Sequence, residues 1–179
     1  MKKLIAIICF VSISGCMSTQ KSEFTGAIPG CKSGQATINN KAVNTSFCIK
    51  KIMFKPSKYL VTVNEQPVFI GTDYTRVAFE KKTQDGVVNG SCDSVVEIKD
   101  ASTKNLIKVN SLPAELVSGC NIQTDTAGNS LPFKKDTNCD QVFYKYLAPM
   151  LGKVYPVETA RKCSVALDNH QVFEGEFKF

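Results

Sequence analysis

The sequence predicts an α+β fold. It is mainly antiparallel β, built from hairpins in a sandwich-like or half-barrel arrangement, with one packed helix in the C-terminal half and three disulfides. Three observations predict it. Three short segments share one hairpin-turn pattern. A single stretch, Cys139 to Met150, repeats apolar residues at helical spacing. Eight cysteines in 179 residues point to an oxidising compartment, where cysteines pair. The size suits one domain, and 43% hydrophobic with 21% charged residues suits a globular body. No apolar run reaches the ~18 residues of a membrane-spanning helix.

The chain opens with an address. Lys2 and Lys3 precede the apolar stretch Leu4 to Ile13, and Ser14, Gly15 and Cys16 follow. A basic start, a short apolar core and small residues form a secretory signal. The ending Ile13-Ser14-Gly15-Cys16 resembles the lipobox of bacterial lipoproteins. That resemblance covers the first sixteen residues only. It implies cleavage before Cys16, a diacylglyceryl group on its sulfur and usually an acylated new N-terminus. The competing reading is an ordinary signal peptide with an incidental Cys16. Two or more acyl chains anchor a protein stably where one does not. Met17 stands where an Asp tends to retain lipoproteins in the inner membrane of enteric-type bacteria. The expected location is therefore the outer membrane, lipid-anchored at its periplasmic face or at the cell surface.

Residues 1–15 are read as signal peptide, 16–30 as lipidated cysteine and flexible tether, and 31–179 as one disulfide-stapled domain. Losing Lys2 and Lys3 takes the net charge from +6 to +4. The tether is small and polar, and its fourteen residues after Cys16 reach at most about 48 Å. Cys31, Cys48, Cys92, Cys120, Cys139 and Cys163 remain, an even count that reads as three disulfides with fifteen possible pairings. No Cys-x-x-Cys spacing exists and His170 is the sole histidine, so neither a metal site nor a cofactor is expected.

The hairpin segments are 38–43, 63–68 and 167–172. Each has an aliphatic residue, Asn or Asp, Asn or Glu, two further residues and a valine. Asn and Asp tolerate the positive φ of a two-residue hairpin turn. With Asn39-Asn40 as loop, Ile38 faces Lys41, and counting outward sets Cys31 opposite Cys48. That position falls at a non-hydrogen-bonded pair, within disulfide reach. Ala36, Ile38, Val43 and Phe47 share the other face.

Tyr59 to Val63 and Val68 to Ile70 flank the second turn, and Arg76 to Glu80 alternates as a strand. Asp85-Gly86 and Asn89-Gly90 read as turns. Ser94 to Lys99 and Leu106 to Asn110 read as strands around the polar loop 100–104. Cys139, Val142, Phe143, Tyr146, Leu147 and Met150 form one helical face. Thr137 with Asp140 suggests a cap, and Pro149 ends or kinks the helix. Cys163 to Leu167 and Gln171 to Phe179 form the last strand pair. The expected remaining disulfides are Cys139–Cys163 and, by elimination, Cys92–Cys120.

Candidate chemistry is sparse. His170 sits at a turn beside Asp168 and reads as a solvated turn residue. Glu174 and Glu176 would lie ~6.7 Å apart on one strand face, a spacing that superficially suits acid–base work on a sugar. Phe173, Phe177 and Phe179 on the opposite face make this an ordinary strand with one wet side. No Gly-x-Ser-x-Gly or Ser-x-x-Lys motif and no phosphate-binding glycine loop appears. Catalytic residues are therefore not assigned. Lysines cluster at 50–51, 55, 58, 81–82 and 134–135. They read as solvated strand faces or as an attraction to anionic envelope polymers or headgroups. With only Arg76 and Arg161 in the mature chain, nucleic acid is not an expected partner.

The leading expectation is a non-catalytic, outer-membrane-anchored lipoprotein that binds or assembles with another envelope protein or an anionic envelope polymer. The alternative is an inhibitor or immunity lipoprotein that blocks a cell-wall-directed enzyme or toxin. An enzyme acting on a glycan is the third reading, supported only by Glu174, Glu176 and His170.

Overall fold

The computed structural model describes residues 22–74 and 76–179; the expected signal peptide, Cys16 and the first part of the expected tether lie outside them. Within the described residues, nine strands form two antiparallel sheets. The first has order β1-β2-β3-β4, with β1 Pro29–Ile38, β2 Lys41–Ile52, β3 Lys55–Val63 and β4 Gln66–Asp73. The second has order β5-β6-β8-β9, with β5 Arg76–Thr83, β6 Gly86–Asp100, β8 Val154–Leu167 and β9 His170–Lys178. The short β7 Phe133–Lys135 also pairs with β6.

All three predicted turns form. Asn39 and Asn40, Asn64 and Glu65, and Asp168 and Asn169 have positive φ at both central positions, as a type I′ turn requires. The first turn sets Cys31 opposite Cys48, and the two are bonded.

The sheets pack face to face around Phe47. Its ring stacks on Phe173 at 5.7 Å and touches Phe177 at 5.8 Å and Tyr59 at 6.4 Å. Val43, Ile49, Val61, Val63, Val88, Val165 and Leu167 complete this core. Gly34 of β1 lies so close to β9 that a Cβ there would stand 3.1 Å from the Phe173 ring.

β6 is long, about 50 Å at 3.3 Å per residue. Val88 and Cys92 face the first sheet, whereas Val96 and Ile98 face a second core. That core is supplied by residues 101–153, inserted between β6 and β8. The insert holds α1 Ala114–Gly119 and α2 Thr137–Leu147. Leu112, Leu116, Ile122, Phe133, Phe143 and Leu147 fill it, and Cys120–Cys139 joins the ends of the two helices. α2 follows the predicted face, with Cys139, Phe143 and Leu147 buried. Its cap is Asp136, whose carboxylate accepts from the Asn138 and Cys139 N–H groups, rather than the expected Thr137–Asp140 pair. Pro149 sits in the 3₁₀ turn Ala148–Met150 that follows the helix.

The structure corrects four further expectations. The disulfides are Cys92–Cys163 and Cys120–Cys139, not Cys139–Cys163 and Cys92–Cys120. β6 pairs with β8 across the whole insert and sets Cys92 directly opposite Cys163, while α2 lies over the far half of β6. Asn89-Gly90 is mid-strand, not a turn. Gly90 faces Phe79, and a Cβ there would come within 2.3 Å of the Phe79 ring, so glycine marks a close approach. Leu106 to Asn110 forms single bridges and a 3₁₀ turn rather than a strand. The packed unit begins before Cys31. Phe24 is buried against Cys48 and Leu60 on the outer face of the first sheet.

Non-reducing peptide mapping is expected to recover Cys92 joined to Cys163 and Cys120 joined to Cys139. Replacing Cys92 and Cys163 with alanine should cost about 4 kcal/mol, against about 3 kcal/mol for Cys31 and Cys48. The closed loops differ, with sequence separations of 71 and 17. Urea midpoints of the two variants check the order.

Candidate functional site

The residues flagged for chemistry do not converge. His170 is exposed at the start of β9. Glu174 is exposed and accepts from Gln171 Nε2 at 2.8 Å. Glu176 is half-buried opposite Lys162. Phe173 and Phe177 on the opposite side are in the main core, as expected of a strand with one wet face. Among the described residues no group of three or more His, Cys, Asp or Glu could hold a metal ion. A groove of about 640 Å³ lies beside the loop after β6, lined in part by Asp100, Asn105, Lys108 and Asn129. Asp100 is already engaged. Hydrogen bonds from the Ser102 hydroxyl and from the Thr103 and Ser102 backbone hold its carboxyl down at about 2, so it organises the loop.

The strongest electrostatic feature lies where the two cores meet. Arg161 of β8 is 1% exposed. Its Nε donates to Glu158 Oε1 at 2.8 Å, and its Nη2 donates to the Tyr74 carbonyl. Ser94 Oγ donates to the same Glu158 oxygen at 2.6 Å, and Lys51 of β2 donates to Oε2 at 3.1 Å. The guanidinium lies 5.4 Å from the Tyr59 ring centre and 5.8 Å from that of Phe179. Burial pushes Arg161 down to about 10, so it remains a cation at neutral pH. In a regular strand, residues three apart point to opposite faces. The register shift at Val95/Val96 leaves Thr159 without an opposing residue in the β6 register, and this bulge puts Glu158 and Arg161 on one face. The sequence does not mark this pair, because alternation across a bulge is misleading. Lys135, which reads as solvated by sequence, is 5% exposed. Burial disfavours its charge, yet hydrogen bonds to Asp140 and Tyr144 outweigh this and raise its pKa.

The same end of the first sheet exposes large apolar residues. The register aligns Pro29 with Lys50, Ile52 with Lys55, Lys50 with Lys58 and Ser57 with Asp73. Ile28, the Met53-Phe54 hairpin tip and Tyr74 therefore share one end. Their exposures are 73%, 79%, 94% and 64%. Lys50, Lys51, Lys55 and Lys58 belong to the same end. Phe54 has φ +60°, a conformation that costs a non-glycine residue about 1–2 kcal/mol. A tip selected only for stability would carry Gly or Asn there. The turns 39–40, 64–65 and 168–169 lie at the opposite, polar end. There Asn64 Nδ2 donates to Asp85 and Val87 N–H donates to Asp168.

Residues 22–28 strap the apolar end. Phe24 plugs the outer face, Glu23 pairs with Lys58, Lys50 Nζ donates to the Glu23 carbonyl, and Lys51 N–H donates to the Ile28 carbonyl at 3.0 Å. The Lys58 hydrogen bond and charge hold the Glu23 carboxyl below the usual range.

Two outcomes are expected. Glu158→Leu alone should destabilise by about 3 kcal/mol, because it strands a buried guanidinium. Adding Arg161→Met should recover much of that loss, since a buried pair gains little over apolar residues. Urea unfolding of both variants measures this. Phe24→Ala should release the strap, and faster amide exchange at Lys51 should report it.

No family model matches the chain, and comparison with curated proteins and with solved structures likewise finds no match.

Proposed function

We propose that this protein is a non-catalytic lipoprotein, anchored through Cys16 in a bacterial outer membrane, that holds an envelope partner at the bilayer. The observation that carries the reading is the docked strap. The packed chain reaches back at least to Phe24, and only the five residues 17–21 lie between Cys16 and Ser22. The six Cα–Cα steps span at most ~21 Å. A domain held this closely works on what lies at the membrane. Two disulfided sheets and a disulfided insert make it a rigid platform, in which contact geometry is preset and little ordering entropy is lost on binding. The wet strand face around Glu174 and the exposed turn at His170 support a binding role over acid–base chemistry.

Cys16→Ser should move the protein from the membrane fraction to the soluble fraction and abolish labelling by radioactive palmitate. In-cell crosslinking of the lipidated chain should capture a resident envelope protein. Capture of a secreted or foreign enzyme alone would replace this reading with that of an inhibitor.

A further inference from the structure

We infer that the apolar end of the first sheet is a membrane seat, on which the Met53-Phe54 tip enters the interface of an anionic bilayer. The inference rests on the lipoprotein reading for its orientation, and three observations carry it. The tip presents two large apolar side chains to solvent, and Phe54 holds a backbone conformation that favours smaller residues. Exposed apolar groups of this kind beside lysines suit the boundary between headgroups and acyl chains. The sequence from Lys50 to Lys58 places four lysines around the tip. Glu158 and Glu23 neutralise Lys51 and Lys58. Lys50 also feels the Glu23 charge and donates to the Glu23 carbonyl, whereas Lys55 has no carboxylate in ion-pair contact among the described residues; four lysines against these two carboxylates leave positive charge for anionic headgroups.

The third observation is where the chain leaves the fold. Glu23 lies beside Lys50 and Lys58, at the same end as the tip. A lipid on Cys16, at most ~21 Å away, therefore draws this end toward the bilayer and not the polar end of turns 39–40, 64–65 and 168–169. Anchor and tip would act as two linked contacts, so a weak second contact becomes effectively intramolecular. The domain would then stand with its polar turns pointing away from the membrane, where a partner can reach them.

The chain has no tryptophan, so Phe54→Trp supplies a single reporter. The chain from residue 16 onward, carrying Cys16→Ser and exported behind an ordinary cleaved signal, is mixed with vesicles of phosphatidylcholine with phosphatidylglycerol. A blue shift of the emission from this introduced tryptophan, absent with phosphatidylcholine alone and reduced by salt, is the expected result. Phe54→Gly should weaken co-sedimentation with the vesicles about tenfold or more. The same change should raise Tm by a few degrees, so lost binding is not lost folding. Lys50→Glu with Lys55→Glu should weaken co-sedimentation at least as much. An unshifted emission, or binding that Phe54→Gly leaves intact, overturns the seat. Palmitate labelling of the native chain separates the two readings. A labelled chain with no vesicle response leaves the anchor and removes the seat, whereas an unlabelled chain with a full response removes the anchor and keeps the seat.

Discussion

The ladder between β6 and β8 is the constraint on which the rest of the structure depends. It runs from Val88 opposite Leu167 to Asp100 opposite Val154, across an insert that the chain must complete before the pairing can close. One half of its inward face packs on the first sheet and the other half on the insert. Neither core could be sealed without it. The Cys92–Cys163 bond lies on this ladder and closes the longest of the three disulfide loops. In the chain-entropy account a long loop is where a crosslink removes most freedom from the unfolded chain.

The bulge at Thr159 turns a uniform ladder into a junction. It rotates Glu158 onto the face that Arg161 occupies, and the pair fills the space between two apolar cores with charge. The guanidinium is satisfied in part by Glu158 and Tyr74, and two rings lie beside it. Lys51 adds a contact from the first sheet, so one carboxylate joins both sheets. Such a pair adds little net stability over apolar packing. Its consequence is alignment, because all four partners meet only when both sheets are in register.

That alignment gives the molecule two unlike ends. The hairpin turns with Asn and Asp gather at one end. The other end collects Ile28, Met53, Phe54 and Tyr74 with Lys50, Lys51, Lys55 and Lys58. The strap enters here as well, so the proposed lipid attachment and the exposed apolar side chains lie on the same side of the fold.

Much of this protein was legible because it is local. Turn residues that tolerate positive φ set three hairpins, and one hairpin set its disulfide through register alone. The α2 face follows from spacing within twelve residues, and the wet face of β9 from simple alternation. The cap of α2 falls one residue before the expected position, and the larger errors are non-local or break a period. Asn89-Gly90 looks like a turn until Phe79 is laid across Gly90 from the neighbouring strand. Nothing local marks Glu158 and Arg161 as a buried pair, because it is a bulge that turns them onto one face. Cys163 looks free to meet a helix until β6 arrives opposite it. The sequence by itself determined the β-rich class, the hairpin registers and the helix, since those depend on φ preferences and side-chain periods of neighbouring residues. Only the tertiary structure decided which cysteines meet across the insert, where the buried charge sits and which end exposes Met53 and Phe54. These depend on pairing between strands far apart in the chain, and no local period encodes that.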